Sequence, residues 1–283
     1  MVIQKYLSLV KFSHTIFAMP FAIVGFVLGS QAQGFVEWQK LILVVLCMVF
    51  ARNAAMAFNR YADREIDKNN PRTANREIPA GVITPKNALI FVILNCVAFI
   101  VTTFFINRLC FYLSPVALLV ILGYSLTKRF TVLCHFILGI GLSLAPIGAY
   151  LAVVGKFEWL PLYFSFMVLS WVAGFDIIYA LQDEEFDKAH KLNSIPAWIG
   201  RKNAILLSIF VHLITAFFVI WIGIHYLEDI TYWSGAGLFL GILFYQHTLV
   251  TPKDISKVNI AFFTANGIGS VVYGIFTCLS VYV

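Results

Sequence analysis

Charge is what this sequence has least of. Asp, Glu, Lys and Arg make up 12% of its 283 residues, hydrophobic residues make up 60%, and the mean hydropathy is +0.86. A soluble globular domain carries about 25% charged residues, so that class is excluded and a polytopic membrane protein is indicated. Cysteine and histidine are too few and too scattered to announce a metal centre. Cys47, Cys96, Cys110, Cys134 and Cys278 lack ligand spacing and read as small core residues of apolar segments. His135, His190, His212, His225 and His247 show no ligand pairing and receive no catalytic assignment. Nothing resembles a soluble domain or a long linker; the largest polar insertions are roughly residues 61 to 85 and 183 to 202.

Long apolar runs are what the sequence does have. Nine of them, each of about 18 to 23 residues, are long enough to cross a bilayer as helices. They lie at about 13 to 31, 39 to 59, 86 to 106, 109 to 127, 131 to 154, 159 to 182, 203 to 224, 230 to 248 and 259 to 281. The thinnest divider is Asn107 and Arg108; ignoring it gives eight spans. The first run is longer than a usual signal-peptide core and leads into further spans, so it is read as retained. On the nine-span arrangement all but four of the 20 Lys and Arg residues fall on one side: Lys40, Arg108 and Lys156 lie on the other, and Arg52 lies inside the second run. Short cytoplasmic loops attract positive charge. The N-terminus is therefore expected inside and the C-terminus outside, an agreement that eight spans would spoil. Topology and attraction to anionic membrane lipid account for the net charge of +6. Nucleic-acid binding is not needed.

The scarce acids are concentrated where two of these runs end. NRYADREID (Asn59 to Asp67) closes the second run and DEEFD (Asp183 to Asp187) follows the sixth, both on the expected cytoplasmic face. Asn59, Asp63 and Asp67 are spaced four and four, and Asp183 and Asp187 are spaced four, so each set shares a helical face. Carboxylates stacked that way repel unless a cation sits between them, and Mg²⁺ binds through one or two carboxylates plus substrate phosphates. Each motif is followed by a basic loop containing Pro and Gly, NNPRTANREIPAG (Asn69 to Gly81) and DKAHKLNSIPAWIGRKNA (Asp187 to Ala204), the pattern of a diverged internal duplication. Two such clusters facing each other could hold Mg²⁺ against a diphosphate, with Arg72, Arg76, Lys128 and Arg129 taking up the remaining negative charge. A substrate with a diphosphate head and a hydrocarbon tail fits both the acids and the lipid setting.

These motifs carry a resemblance that extends over nearly the whole chain. The sequence resembles the UbiA superfamily of intramembrane aromatic prenyltransferases: Asn59, Asp63 and Asp67 match its NxxxDxxxD motif, with the frequent Arg60, and Asp183 and Asp187 match its DxxxD motif. TANREIPAG (Thr73 to Gly81) looks like the family's loop, with Glu77 where many members have Pro, a departure bearing on loop shape more than on metal binding. The resemblance implies an all-α bundle of nine transmembrane helices forming one prenyltransferase domain over residues 1–283, in a bacterial inner membrane. It implies Mg²⁺-dependent transfer of a polyprenyl group from a polyprenyl diphosphate to a small aromatic acceptor, 4-hydroxybenzoate or a naphthoate-type ring, for ubiquinone or menaquinone. Asp63, Asp67, Asp183 and Asp187 would be the catalytic metal-binding carboxylates, with Asn59 as a further ligand. Asp176, seven residues before Asp183 and on the same face, would contact the acceptor or help proton loss, or would simply be a buried hydrogen-bonded Asp. Tyr124 and Tyr179 could shield a cation, although in a chain so rich in aromatics core packing is the plainer reading. VKFSHTIFAMPFAIVG (Val10 to Gly25) looks like a 4-hydroxybenzoate polyprenyltransferase-like branch, some members of which are linked to a menaquinone route. Its His14 could contact an acceptor carboxylate or be an interfacial helix-end His. Two readings stay open beside this one: prenyl transfer to a non-aromatic acceptor, and a cation-coupled transporter.

Overall fold

A computed structural model describes residues 2–10 and 17–283; His14 lies outside the described residues. The described residues form helices α1 (Val2–Leu9), α2 (Met19–Gln33), α3 (Trp38–Ala62), α4 (Arg64–Asn69), α5 (Pro85–Ile106), α6 (Arg108–Thr127), α7 (Cys134–Val154), α8 (Trp159–Ala180), α9 (Glu184–Ala189), α10 (Ile195–His225), α11 (Ile230–Thr248) and α12 (Asn266–Ser280). A π-helical stretch, Ile260–Ala265, leads into α12, and there is no strand among the described residues. All-helical structure is what a bilayer imposes, since every backbone N–H and C=O must be satisfied without water. Among the described residues seven helical spans are long and apolar enough to cross a membrane: α3, α5, α6, α7, α8 with its continuation through α9, α10, and the π stretch with α12. The other two expected runs appear as α2, 15 residues long as described, and α11, whose 19 residues include Tyr232, Trp233, Ser234, Gln246 and His247. The chain is an integral membrane protein, and among the described residues each of the nine expected runs contains helix.

The core centres on α8. Trp171, Phe164, Met167 and Phe175 of α8 pack with Phe21 of α2, Phe239 of α11 and Tyr273 of α12 in one cluster of buried residues. Close helix approach there depends on missing side chains: a Cβ at Gly25 would overlap the Pro146 carbonyl of α7, and one at Gly139 would overlap the Leu169 carbonyl of α8. On the outside Phe104, Phe105, Leu119 and Phe244 are exposed, as lipid-facing positions should be.

Asn107 settles the span count around the thin divider. It is the only residue between α5 and α6, in an extended conformation (φ −167, ψ 166) that turns the chain back on itself. Its Oδ1 accepts from the Cys110 N–H (2.8 Å), while its Nδ2 donates to the carbonyls of Leu151 (2.8 Å) and Ala152 (3.2 Å) at the end of α7. A single polar side chain thus caps one helix and ties the hairpin to another.

The acidic motifs depart from the continuous helical face expected of them. α3 stops at Ala62, Asp63 (φ −91, ψ 4) forms a kink, and the six-residue α4 carries Asp67. The Ala62 carbonyl is captured by Arg129 Nη2 (2.5 Å) and the Tyr61 carbonyl by Arg64 Nη1 (2.8 Å), which draws the last turn open. Asp63 N–H still donates to the Asn59 carbonyl (2.9 Å) and Asp67 N–H to that of Asp63 (2.7 Å), so the two carboxylates remain about one turn apart. The second motif repeats the device: α8 ends at Ala180, a 3₁₀ turn spans Leu181–Asp183, and the six-residue α9 carries Asp187. Each half therefore reads as long span, break at the first Asp, short helix with the second.

Replacing Asn107 with Ala removes the cap and both carbonyl bonds. Thermal unfolding in detergent should show a loss of about 1–2 kcal/mol. An unshifted midpoint would mean that the hairpin does not depend on this side chain.

Candidate active site

A cavity of about 1340 Å³ runs along the inner faces of α3, α5, α6, α7 and α8. From Val44 to Asp63 on α3 its wall is about 28 Å long at 1.5 Å per residue. The deep end is apolar, with Ile106, Leu113, Leu151 and Phe157; the mouth carries Asn59, Asp63, Asp67, Asp176, Asp183 and Asp187. All the sequence-predicted acids are thus brought to one end of one cavity.

Each carboxylate of the first motif is held by a base from a different segment. Asp63, 1% exposed, pairs with Lys128 at the end of α6 (2.6 Å) and receives Asn59 Nδ2 at 3.4 Å. Burial pushes the Asp63 carboxyl up from its ordinary range, and the charge and hydrogen bond of Lys128 oppose that push. Asp67, 3% exposed, pairs with Arg76 from the following loop (2.6 Å), while its own carbonyl accepts from Thr73 Oγ1 (3.1 Å). In the second motif Asp183 is gripped by Arg72, through Nε at 2.9 Å and through Nη2, and by Asn70 Nδ2 at 3.0 Å. Arg72 loses hydration on burial, yet the Asp183 carboxylate more than offsets this and holds the guanidinium above its usual range. Arg72 also donates to the Tyr179 hydroxyl (3.1 Å) and lies 5.3 Å from its ring centre. Tyr179 is therefore part of the site, not packing alone. Asp187 accepts from Ser194 Oγ (2.7 Å) and lies within electrostatic reach of Lys128.

The loop after the first motif thus closes onto the second, through Asn70 and Arg72, and Lys128 stands between them. Arg129 departs from expectation. Expected beside Arg72, Arg76 and Lys128 as a diphosphate ligand, it does not line the cavity; it holds the Ala62 carbonyl and approaches Asp63 Oδ1 only to 3.8 Å. Its place at the α3 kink explains it, because the opened carbonyl there is a nearer partner.

The donor set fits a metal shared with a ligand better than a closed metal cage. Among the described residues no three His, Cys, Asp or Glu side chains converge on one point. What exists is two carboxylate pairs, with Asp63 Oδ1 and Asp67 Oδ2 buried and lacking a hydrogen-bond partner. Buried carboxylate oxygens left open suit a hard cation that takes its remaining ligands from phosphate and water.

Several site residues escaped the sequence reading. Three cysteines, Cys47, Cys110 and Cys134, line the cavity, and Cys110 also packs against the buried cluster that includes Phe26 and Val153. Arg52, noted only as lying inside a span, is on the cavity wall, where a charge inside a membrane bundle was the available signal. It is within electrostatic reach of Tyr124, which in turn reaches Asp63 and Asp176. His135 also lines the cavity, with Nδ1 2.7 Å from Asp176 Oδ2. The two are 41 residues apart, so no local spacing joins them.

Comparison with known proteins places this geometry. The model of the UbiA prenyltransferase family matches residues 18–268. The 4-hydroxybenzoate octaprenyltransferase of Vibrio vulnificus is 30% identical over 242 residues, 85% of this chain and 84% of the relative. A UbiA homologue from Aeropyrum pernix K1, solved without ligand, superposes with a TM-score of 0.81 at 28% identity, over 95% of this chain and 97% of its own. A UbiA homologue from Archaeoglobus fulgidus, solved with GPP and Mg²⁺, shares the fold with a TM-score of 0.76 at 21% identity, over 99% and 100% of the two chains.

The ion pairs at the mouth are open to direct test. Arg76→Ala leaves the Asp67 carboxylate buried without its counter-charge and should lower stability by about 3 kcal/mol in thermal unfolding without added metal. The double variant Asp67→Asn/Arg76→Ala should regain part of that loss. A double variant less stable than the single one would contradict the pairing.

Proposed function

The chain belongs to the UbiA prenyltransferase family, and on that premise we propose that it transfers a polyprenyl group from a polyprenyl diphosphate to an aromatic acceptor, with Mg²⁺ as cofactor. The observation that carries this reading is the junction of two carboxylate pairs and their bases at one mouth of a long apolar cavity. The cavity suits a hydrocarbon tail and the mouth suits a diphosphate. The names of the curated relatives and the GPP and Mg²⁺ in the A. fulgidus homologue support the same substrate class. Residues 1–283 are read as one domain, with its N-terminus and site toward the cytoplasm of a bacterial inner membrane.

Asp63, Asp67, Asp183 and Asp187, with Asn59, would hold the metal, which supplies positive charge against the diphosphate. Arg72, Arg76 and Lys128 are each paired to one of these carboxylates. When the carboxylates gain other cations, the three bases become free to turn to phosphate oxygens, so the site changes partners without stranding a charge. The C–O bond of the prenyl diphosphate breaks with its electron pair leaving on the diphosphate, and an electron-rich ring carbon attacks the allylic cation. Asp176 accepts the ring proton, and the C–H electron pair restores the aromatic ring. Arg52, within reach of Tyr124 near Asp176, offers a fixed cation to an acceptor carboxylate, as on 4-hydroxybenzoate or a naphthoate. A phosphate-bearing, non-aromatic acceptor would satisfy the same guanidinium, so it belongs in the test.

Purified protein is incubated with Mg²⁺, a polyprenyl diphosphate and a mixture of 4-hydroxybenzoate, dihydroxynaphthoates and a glycerol phosphate, and the products are read by mass spectrometry. A prenylated ring that disappears with EDTA is expected. Asp63→Asn and Asp187→Asn should abolish turnover while membrane insertion persists, and Arg52→Gln should raise the acceptor KM by roughly 10-fold or more. A prenylated glycerol phosphate with no aromatic product would overturn the aromatic assignment. No product at all, with no diphosphate bound, would overturn the transferase.

A further inference from the structure

We propose that His135 is a positioning residue that holds the Asp176 carboxylate as proton acceptor and ties it to the second acidic motif. The inference rests on the reading of Asp176 given above. His135 is 3% exposed and sits at the start of α7, with both ring nitrogens engaged. Its Nε2 faces the N–H of Ile195 at 3.3 Å, and its Nδ1 faces Asp176 Oδ2 at 2.7 Å. A nitrogen that receives an N–H presents its lone pair, so the imidazole proton is assigned to Nδ1 and points at the carboxylate. The backbone of Ile195 therefore selects the tautomer in which His135 donates to Asp176.

Ile195 belongs to a short segment that also holds the motif. Ser194, the N-cap of α10, accepts from the Ala197 N–H (3.4 Å) and donates through Oγ to Asp187 Oδ2 (2.7 Å). One residue earlier, the Asn193 N–H donates to the carbonyl of Lys128 (2.7 Å), and Cys134 Sγ lies 3.5 Å from the Asn193 carbonyl. Three consecutive residues thus fix Lys128, Asp187 and His135 relative to one another, on a helix start whose cap makes it rigid. Asp176 is fastened from α7 through Oδ2 and lines the cavity, which reserves its other oxygen for the acceptor. In the reaction that oxygen takes the ring proton: the C–H bond breaks, its electron pair returns to the ring, and Asp176 becomes the neutral acid. Without the bond from His135 the carboxylate is free to rotate away, and proton loss slows while diphosphate departure does not.

The test uses full-length protein and an acceptor deuterated at the carbon that is alkylated. His135→Asn keeps a donor near the Nδ1 position, His135→Gln moves it to the Nε2 position, and His135→Leu removes it. Unmodified protein and His135→Asn should show little isotope effect. His135→Leu and His135→Gln should lose about 10²-fold in kcat and gain a primary isotope effect, with KM for the diphosphate unchanged. Should His135→Leu fail to fold, His135→Gln carries the comparison. Variants that turn over like the unmodified protein, or that lose rate with no isotope effect, overturn the inference alone. No aromatic product from the unmodified protein overturns the function on which it rests.

Discussion

Carboxylates held out of water at the end of an apolar bundle dictate the form of this protein. Asp63 and Asp67 are buried where an uncompensated charge would cost several kcal/mol. Each is matched by a base from a different segment, Lys128 from the end of α6 and Arg76 from the loop after α4, and Arg72 from that loop reaches across to Asp183. The consequence is architectural: the loops that close the mouth are fastened by the same acids that would bind metal. A site organised in this way is stable when empty of cations other than its own, and it is prepared to exchange them.

Around that mouth the bundle divides its work. α8 is central: its last turns deliver Asp176 and Tyr179, and the 3₁₀ turn that follows delivers Asp183. The π-helical stretch faces it: the Asn266 side chain amide donates to the carbonyls of Ala261 (3.1 Å) and Phe262 (2.9 Å), and its oxygen accepts from Trp171 Nε1 (3.0 Å). Wide turns of this kind leave carbonyls needing partners, and a buried Asn supplies them. The result sets Phe262 against Tyr179, with ring centres 4.0 Å apart, so the ring that Arg72 covers is itself fixed by core packing. Chemistry at the mouth and packing in the middle of the membrane are joined through a few side chains.

Much of this was legible in the chain. Apolar length located the long helices among the described residues, and the spacing of Asn59, Asp63, Asp67, Asp183 and Asp187 located the acids that meet at the mouth, because both signals are local and periodic. The kink at Asp63 was not legible, since the Ala62 carbonyl there is captured by Arg129, distant in sequence. The same distance hid the true partner of Arg129 and joined His135 to Asp176 without any spacing to reveal it. Arg52 was visible as a charge within a span, yet only the cavity gave it an address. Patterns within a helix are written in the sequence; contacts between helices are written in the packing.

The central claim is that the acidic pairs bind metal only together with a diphosphate, since three of the four carboxylates, Asp63, Asp67 and Asp183, are already paired with a base. It is tested most directly by electron paramagnetic resonance of Mn²⁺, standing in for Mg²⁺, added to the purified protein with and without a prenyl diphosphate. Weak Mn²⁺ binding alone that becomes tight when the diphosphate is present is the predicted result. Equally tight binding in both conditions, or tight diphosphate binding that ignores the metal, would contradict the account.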